Sequence, residues 1–177
     1  LLPVHDDPFC LTINCRNTRH VHEAAYRYYS GATVQPPEIV GARVSRLEGA
    51  TAPVQASQVC KTVDGLLRKE KLTGNDIVVL VHSDAKEALY GLLRQHALPS
   101  PHSWAVETHG TDGVLVDTVR RFKGLEAAVV FLWGIDRINA NADKEVLYTA
   151  ASRAKSRLVI VGDNSSCDRF FLGLEEL

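Results

Sequence analysis

The amino-acid sequence predicts an α/β domain: a mainly parallel β-sheet with helices on both faces, in three layers. Three observations carry that prediction. Residues 77–81 (IVVLV), 127–133 (AAVVFLW) and 158–161 (LVIV) are unbroken apolar runs rich in Val, Ile and Leu, the mark of strands buried on both faces. Segments with apolar residues at helical spacing alternate with these runs, as they do where helices connect parallel strands. With 177 residues, 45% hydrophobic and 23% charged, the chain has the length for one full core and the composition of a soluble globular domain.

Taken in order, residues 1–9 are a lead-in and 9–13 (FCLTI) a short strand. Asn17 or Thr18 caps a helix over 18–29, on which Val21, Ala24, Ala25 and Tyr28 share a face. A turn-rich connector at 31–37 leads to a strand within 39–47, where ARVSRL alternates. After a second connector at 50–55, Val59, Val63, Leu66 and Leu67 mark a helix over 55–71, stopped by Thr73-Gly74-Asn75. The strand 77–81 follows. Ser83 or Asp84 caps a helix with Ala85, Ala88, Leu89, Leu92 and Leu93 inward, and this helix ends before Pro99 and Pro101. Residues 104–107 are a short strand and 109–113 a turn.

Strands at 114–119 and 127–133 then flank the basic, glycine-containing segment 120–126 (RRFKGLE). The pattern makes that segment a turn at a sheet edge, where open parallel sheets take their ligands. A polar loop spans 136–143. Val146, Leu147, Ala150 and Ala154 face inward on a helix over 144–155. The strand 158–161 and a terminal helix over 165–177 complete the chain.

Composition excludes several classes. No apolar run approaches the ~20 residues of a membrane helix, and the start, LLPVHDDPF, lacks the basic and apolar regions of a signal peptide. The expected location is intracellular, in the cytoplasm, with no membrane partner. A net charge of −1 argues against a wholly basic nucleic-acid wrapper but leaves room for a local basic stripe. Cys10, Cys15, Cys60 and Cys167 show no CxxC spacing, so reduced thiols are expected rather than a zinc site or a disulfide framework. The seven histidines form no ligand pattern, and no metal site is assigned. The sequence contains no Met, so a piece of a longer protein is expected.

Three arginine-bearing segments sit where strands end or begin: Arg16 after the first strand, Arg120 and Arg121 with Lys123 after the strand ending at Val119, and Arg153 before the last strand. A guanidinium offers phosphate a planar fork of charge-assisted hydrogen bonds. For a lone arginine a solvated surface charge is the commoner role; three near strand ends shift the balance modestly toward a phosphate site.

The words themselves go further. LTINCRNTRHVHEAAYRYY (11–29), DIVVLVHSDAKEALYGLLRQHAL (76–98), DTVRRFKGLEAAVVFLWG (117–134) and EVLYTAASRAKSRLVIVG (145–162) occur in this order. Together they resemble the C-terminal RecA-like domain of superfamily 1 helicases of the Rep/UvrD type, over roughly residues 10–163. The resemblance implies that Arg16 reaches the γ-phosphate of ATP and that Arg153 is an arginine finger, stabilising charge that develops on the transferred phosphoryl group. It implies that Glu126 accepts a hydrogen bond from the ATP ribose and that Gly124 lets the backbone approach the nucleotide. Thr118, with Arg120 and Arg121, falls in the segment that contacts the nucleic-acid backbone. Tyr148 matches a motif tyrosine with a supporting role. The whole chain, 1–177, then reads as the second motor domain of an ATP-dependent DNA helicase or translocase. Its partners are an N-terminal RecA-like domain of the same protein and single-stranded DNA or RNA.

Arg120 stands where the commonest bacterial pattern has His, and Asn17 where Ser is frequent. The long insertion that larger relatives carry before the KGLE segment is missing. The chain contains no GxxxxGK[ST] and no strand followed by a DExx-type magnesium site, and hydrolysis needs both a phosphate cradle and a metal carboxylate. ATP and Mg²⁺ are therefore expected in the full-length parent and not on this chain alone, which is expected to be inactive by itself. The alternative is a non-catalytic RecA-like binding module in a nuclease, a defence protein or an RNA-interacting protein. An unrelated α/β nucleotide-binding enzyme with chance motif matches is a third reading.

Overall fold

The computed structural model of the chain describes residues 12–82, 85–106, 112–138 and 143–172. Within them run, in order, α1 (Arg19–Tyr26), β1 (Ser45–Glu48), α2 (Ala52–Lys69), β2 (Ile77–Val81), α3 (Lys86–Arg94), β3 (Ser103–Val106), β4 (Gly113–Thr118), β5 (Ala127–Trp133), α4 (Lys144–Ala151), β6 (Ala154–Gly162) and α5 (Asn164–Phe171). The six strands form one sheet in the order β1-β6-β5-β2-β4-β3, and every neighbouring pair is parallel.

Alternation along the central strands sorts the core into two halves. Val78 and Leu80 of β2, Val130 and Leu132 of β5, and Leu158 and Ile160 of β6 face α1, α4 and α5. Ile77, Val79 and Val81, with Phe131, Trp133, Val159 and Val161, face α2 and α3. The continuous apolar runs follow from this: a strand covered on both faces has no solvent side to mark with polar residues. The one polar atom that Trp133 brings into its layer, Nε1, donates to Oε1 of the buried Gln55 at 2.8 Å, which removes the cost of burying it unpaired.

The mainly parallel three-layer sheet expected from the sequence is present, and strands 77–81 and 127–133 fall where they were expected. Other boundaries move. The helix expected over 144–155 ends at Ala151, because the Arg153 carbonyl accepts from Ala127 N and Ala154 opens β6 beside Ala127. Sheet pairing takes over a segment whose spacing also fits a helix. Arg153 consequently sits in the turn between α4 and β6 rather than on the helix. The strand expected within 39–47 shrinks to the edge strand Ser45–Glu48. The carbonyls of Ile39 and Val40 instead accept from Arg19 N at 2.8 Å and His20 N at 3.3 Å, satisfying two open N–H groups at the start of α1. Of the first expected strand, Ile13 makes an isolated parallel bridge to Gln35. Residues 9–11, the expected caps Ser83 and Asp84, and most of the turn 109–113 lie outside the described residues.

The segment between β4 and β5 positions the site. Thr118 ends β4 beside Val81 at the carboxyl end of β2, whereas β5 starts near Ile77 at the amino end of β2. The chain therefore crosses the full width of β2 within residues 119–126, without a helix. Val119 and Phe122, 5% and 1% exposed, pin this crossover to the face shared with α1 and α4. The expectation of a turn at one sheet edge is corrected: 120–126 is a strap running from one end of the sheet to the other.

Candidate functional site

At the amino ends of β5 and β6 the structure gathers three of the residues singled out in the sequence. The gathering starts with two buried asparagines. Asn14 Oδ1 accepts from Arg16 N at 2.9 Å and Asn17 N at 3.4 Å, shaping the loop around Arg16. Asn14 Nδ2 donates to Asn17 Oδ1 at 2.8 Å and to His22 Nδ1 at 2.9 Å. Asn17 Nδ2 in turn donates to the carbonyls of Ser152, 3.0 Å, and Ala154, 2.5 Å. Thr18 continues the seam, its N–H donating to Lys155 O at 2.9 Å and its Oγ1 to Ser156 O at 3.3 Å. The loop 14–18 is thus stapled onto the turn 152–156, and Arg16 is brought beside Arg153. Burial holds the His22 pKa below its ordinary value, against the pull of Glu23 and a backbone hydrogen bond with Val34. The neutral ring is the form whose Nδ1 accepts from Asn14.

Arg153 is held by three protein oxygens: Thr149 O at 3.0 Å from Nε, Leu125 O at 3.3 Å from Nη1 and Ser152 Oγ at 3.1 Å from Nη2. Burial, and then the charge of Arg16, lower its pKa from the ordinary value. Two guanidiniums this close repel, so the arrangement favours an anion between or beside them. Glu126 is the anion the protein supplies. Its Oε2 lies 3.3 Å from Arg16 Nε and its Oε1 lies 3.4 Å from Lys155 Nζ. Gly124 has φ +92°, and a Cβ there would meet nothing within 4 Å, so the position needs glycine for its backbone and leaves open space beside it.

The remaining candidates stand elsewhere. Thr118, Arg120 and Arg121 belong to the carboxyl end of β4, across the strap from Glu126. Thr118 is 5% exposed, and its Oγ1 accepts from Arg121 N at 3.3 Å, so its side chain caps the turn rather than presenting itself to solvent. Arg121 pairs with Asp117 at 3.1 Å. Arg120 and Lys123 line a groove of about 420 Å³ with His82, Val146 and Thr149. The sequence grouped all these cations; the fold divides them between two ends of the sheet.

Tyr148 packs in an aromatic group with Tyr26 and Tyr29, ring centroids 5.5 Å and 4.9 Å away, while Tyr26 stacks on His22 at 4.0 Å. Burial, and then a hydrogen bond with Tyr148, push the Tyr26 hydroxyl up to about 12. This group buttresses α4, the helix that leads into the Arg153 turn, against α1, the helix that follows Arg16. Trp104 is partly buried at the edge of the second core layer, with Nε1 donating to His96 O; Trp133 is core. Sequence reasoning missed Lys155, the Asn14–Asn17–His22 network and the Leu125 carbonyl. Lys155 had a signal, since SRAK places it two residues after Arg153; the carbonyl had none. Cys15, Cys60 and Cys167 are free thiols. Among the described residues no three His, Cys, Asp or Glu side chains stand where they could hold a metal, and no helix is long and apolar enough to cross a membrane.

Residues 113–161 match the UvrD-like helicase C-terminal domain family. The matched stretch runs from β4 to the end of β6, holding Thr118, Arg120, Arg121, Gly124, Glu126, Tyr148 and Arg153 but not Arg16. It agrees with the resemblance read from the four ordered segments. No curated protein matches the chain. Among solved structures, the C-terminal domain of a possible DNA helicase from Lactobacillus plantarum WCFS1 is similar at TM-score 0.61 and 18% identity, over 84% of this chain and 86% of that one. At that identity the likeness is one of fold, and it covers most of the chain, residues outside the matched stretch included.

Proposed function

We propose that this chain is the second motor domain of an ATP-dependent DNA helicase or translocase, and that the patch of Arg16, Glu126 and Arg153 is its wall of the nucleotide cleft. The observation that carries the reading is the meeting of Arg16 and Arg153 on one carboxylate-bearing patch, although they come from opposite ends of the chain. In this reading the triphosphate and its magnesium are gripped by an N-terminal RecA-like domain of the same protein. The present chain adds Arg16 toward the γ-phosphate, Glu126 toward the ribose and Arg153 as the finger. The residues fit a nucleotide: fixed cations for a polyanion, a carboxylate for a sugar hydroxyl, and open space at Gly124. Arg153 suits a finger because its protein contacts hold it in place before any ligand arrives, so little reorganisation remains when charge develops. Arg120 and Arg121, at the other end of the strap, would follow a single-stranded backbone, with affinity that falls as salt rises. Closing of the two domains on ATP and reopening after hydrolysis would move that strand.

The test is Arg153→Ala in the full-length protein. Turnover with single-stranded DNA is expected to fall roughly 10³-fold or more, with nucleotide binding largely retained. Near-normal turnover removes the finger role; degraded GxxxxGK[ST] and paired-acid motifs in the N-terminal portion would favour the binding module over the motor.

A further inference from the structure

The two cations that touch Glu126 are held differently from Arg153. Arg153 is fixed by Thr149 O, Leu125 O and Ser152 Oγ, whatever else is bound. Arg16 and Lys155 are fixed by the carboxylate: one oxygen for each, at 3.3 and 3.4 Å. All three side chains are about half open to solvent, at 50% for Arg16, 51% for Lys155 and 41% for Glu126. No buried group has to move to separate them. A carboxylate bridging two cations through its two oxygens occupies them as two oxygens of a phosphate would. The patch nevertheless keeps an excess of cations over this single carboxylate, so a more highly charged anion has an electrostatic advantage over it.

We infer that Glu126 is a resident competitor for the cations of this patch and that Lys155 belongs to the set that takes phosphate: without nucleotide the carboxylate holds Arg16 and Lys155, and a polyphosphate binds by displacing it. The inference rests on the proposal that the patch faces a nucleotide, and it adds a residue and a step. Exposed ion pairs are individually weak and screened by salt, so the displacement is easy for a triphosphate and difficult for a lone phosphate or chloride. The patch therefore discriminates by charge: it stays closed on itself in the presence of singly charged anions. Once displaced, the Glu126 carboxylate is available for a sugar hydroxyl.

The probe is tripolyphosphate, which has no ribose, titrated calorimetrically into the 177-residue chain at low ionic strength. E126Q keeps shape and removes the competing charge; it is expected to tighten tripolyphosphate binding on the order of three- to tenfold. K155A is expected to weaken binding, and in E126Q/K155A most of the gain from E126Q should vanish. E87Q removes an equal charge on α3, across the sheet, and should match wild type. Circular dichroism establishes that each variant folds, as expected for half-exposed positions. Binding by E126Q no tighter than wild type, or a double variant as tight as E126Q, overturns the inference. If wild type binds, R16A weakens binding and E126Q changes nothing, the competitor role fails while the nucleotide-facing reading stands. If neither wild type nor E126Q binds tripolyphosphate, both fail.

Discussion

Replacing Asn17 by alanine removes the side chain that ties the Arg16 loop to the Arg153 turn. Asn17 is 6% exposed. It loses two donated hydrogen bonds, to Ser152 O at 3.0 Å and Ala154 O at 2.5 Å, and one accepted from Asn14 at 2.8 Å. At about 0.5–1.5 kcal/mol net for each bond, the sum is roughly 2–4 kcal/mol, since Asn14 retains His22 as a partner. For a domain of this length that corresponds to a fall in Tm of roughly 5–15 °C. Urea unfolding followed by circular dichroism gives the number: the midpoint should drop with the m-value unchanged. N17S, with one hydroxyl for one carbonyl, should fall between wild type and N17A. N17D, which turns a carboxylate toward two carbonyls, should be at least as damaging as N17A. An N17A midpoint equivalent to less than about 0.5 kcal/mol refutes the reasoning, because the staple would then contribute less than a single hydrogen bond.

Other outcomes can be measured on the same chain. Because burial lowers the His22 pKa from 6.5, the unfolded chain binds its proton first as pH falls. Stability from this group is full above about 6.5 and is lost as pH drops from there toward the lowered folded value; H22Q, whose amide oxygen accepts from Asn14 without titrating, should lack that component in a pH series of urea midpoints. Burial pushes the Cys60 and Cys167 thiols up to about 11, so at pH 8 in a C10S background Cys15 alone of these three should react with a disulfide reagent, the other two following only on unfolding. Gly124→Ala meets no atom but places a side chain at φ +92°; it should cost about 1–2 kcal/mol through the backbone, read by the same urea assay, and a neutral result would mean the strap relaxes there.

What the sequence made legible follows from what local pattern encodes. The central strands stand out at 77–81 and 127–133 because both faces are covered, so every residue is apolar. The fold class follows from their alternation with amphipathic helices. The ends of elements were read less well where long-range partners decide them. Ala154 and Lys155 continue a helical pattern, but Ala127 pairs with that segment from the neighbouring strand. Ile39 and Val40 carry strand-forming residues, but their carbonyls are used by α1. The candidate residues were recognised by words, not by geometry, and their division between the two ends of the sheet is a property of the crossover. Lys155, two residues after Arg153, reads as a solvated charge until its carboxylate partner, Glu126, is located. Asn14 and Asn17 do their work through backbone carbonyls far away in the chain, which no local spacing records.

The helix-free crossing from β4 to β5 has a mechanical consequence. Most parallel connections insert a helix, so that a shift at one end of the sheet must pass through packed side chains before it reaches the other. Here residues 120 and 126 are joined by a few peptide links drawn across β2, with Phe122 acting as the bolt that keeps them from slackening. Arg120 at one rim and Glu126 at the opposite rim are thus six residues apart along the backbone, with turn hydrogen bonds such as Lys123 N to Arg120 O and Leu125 N to Phe122 O and one buried ring between them.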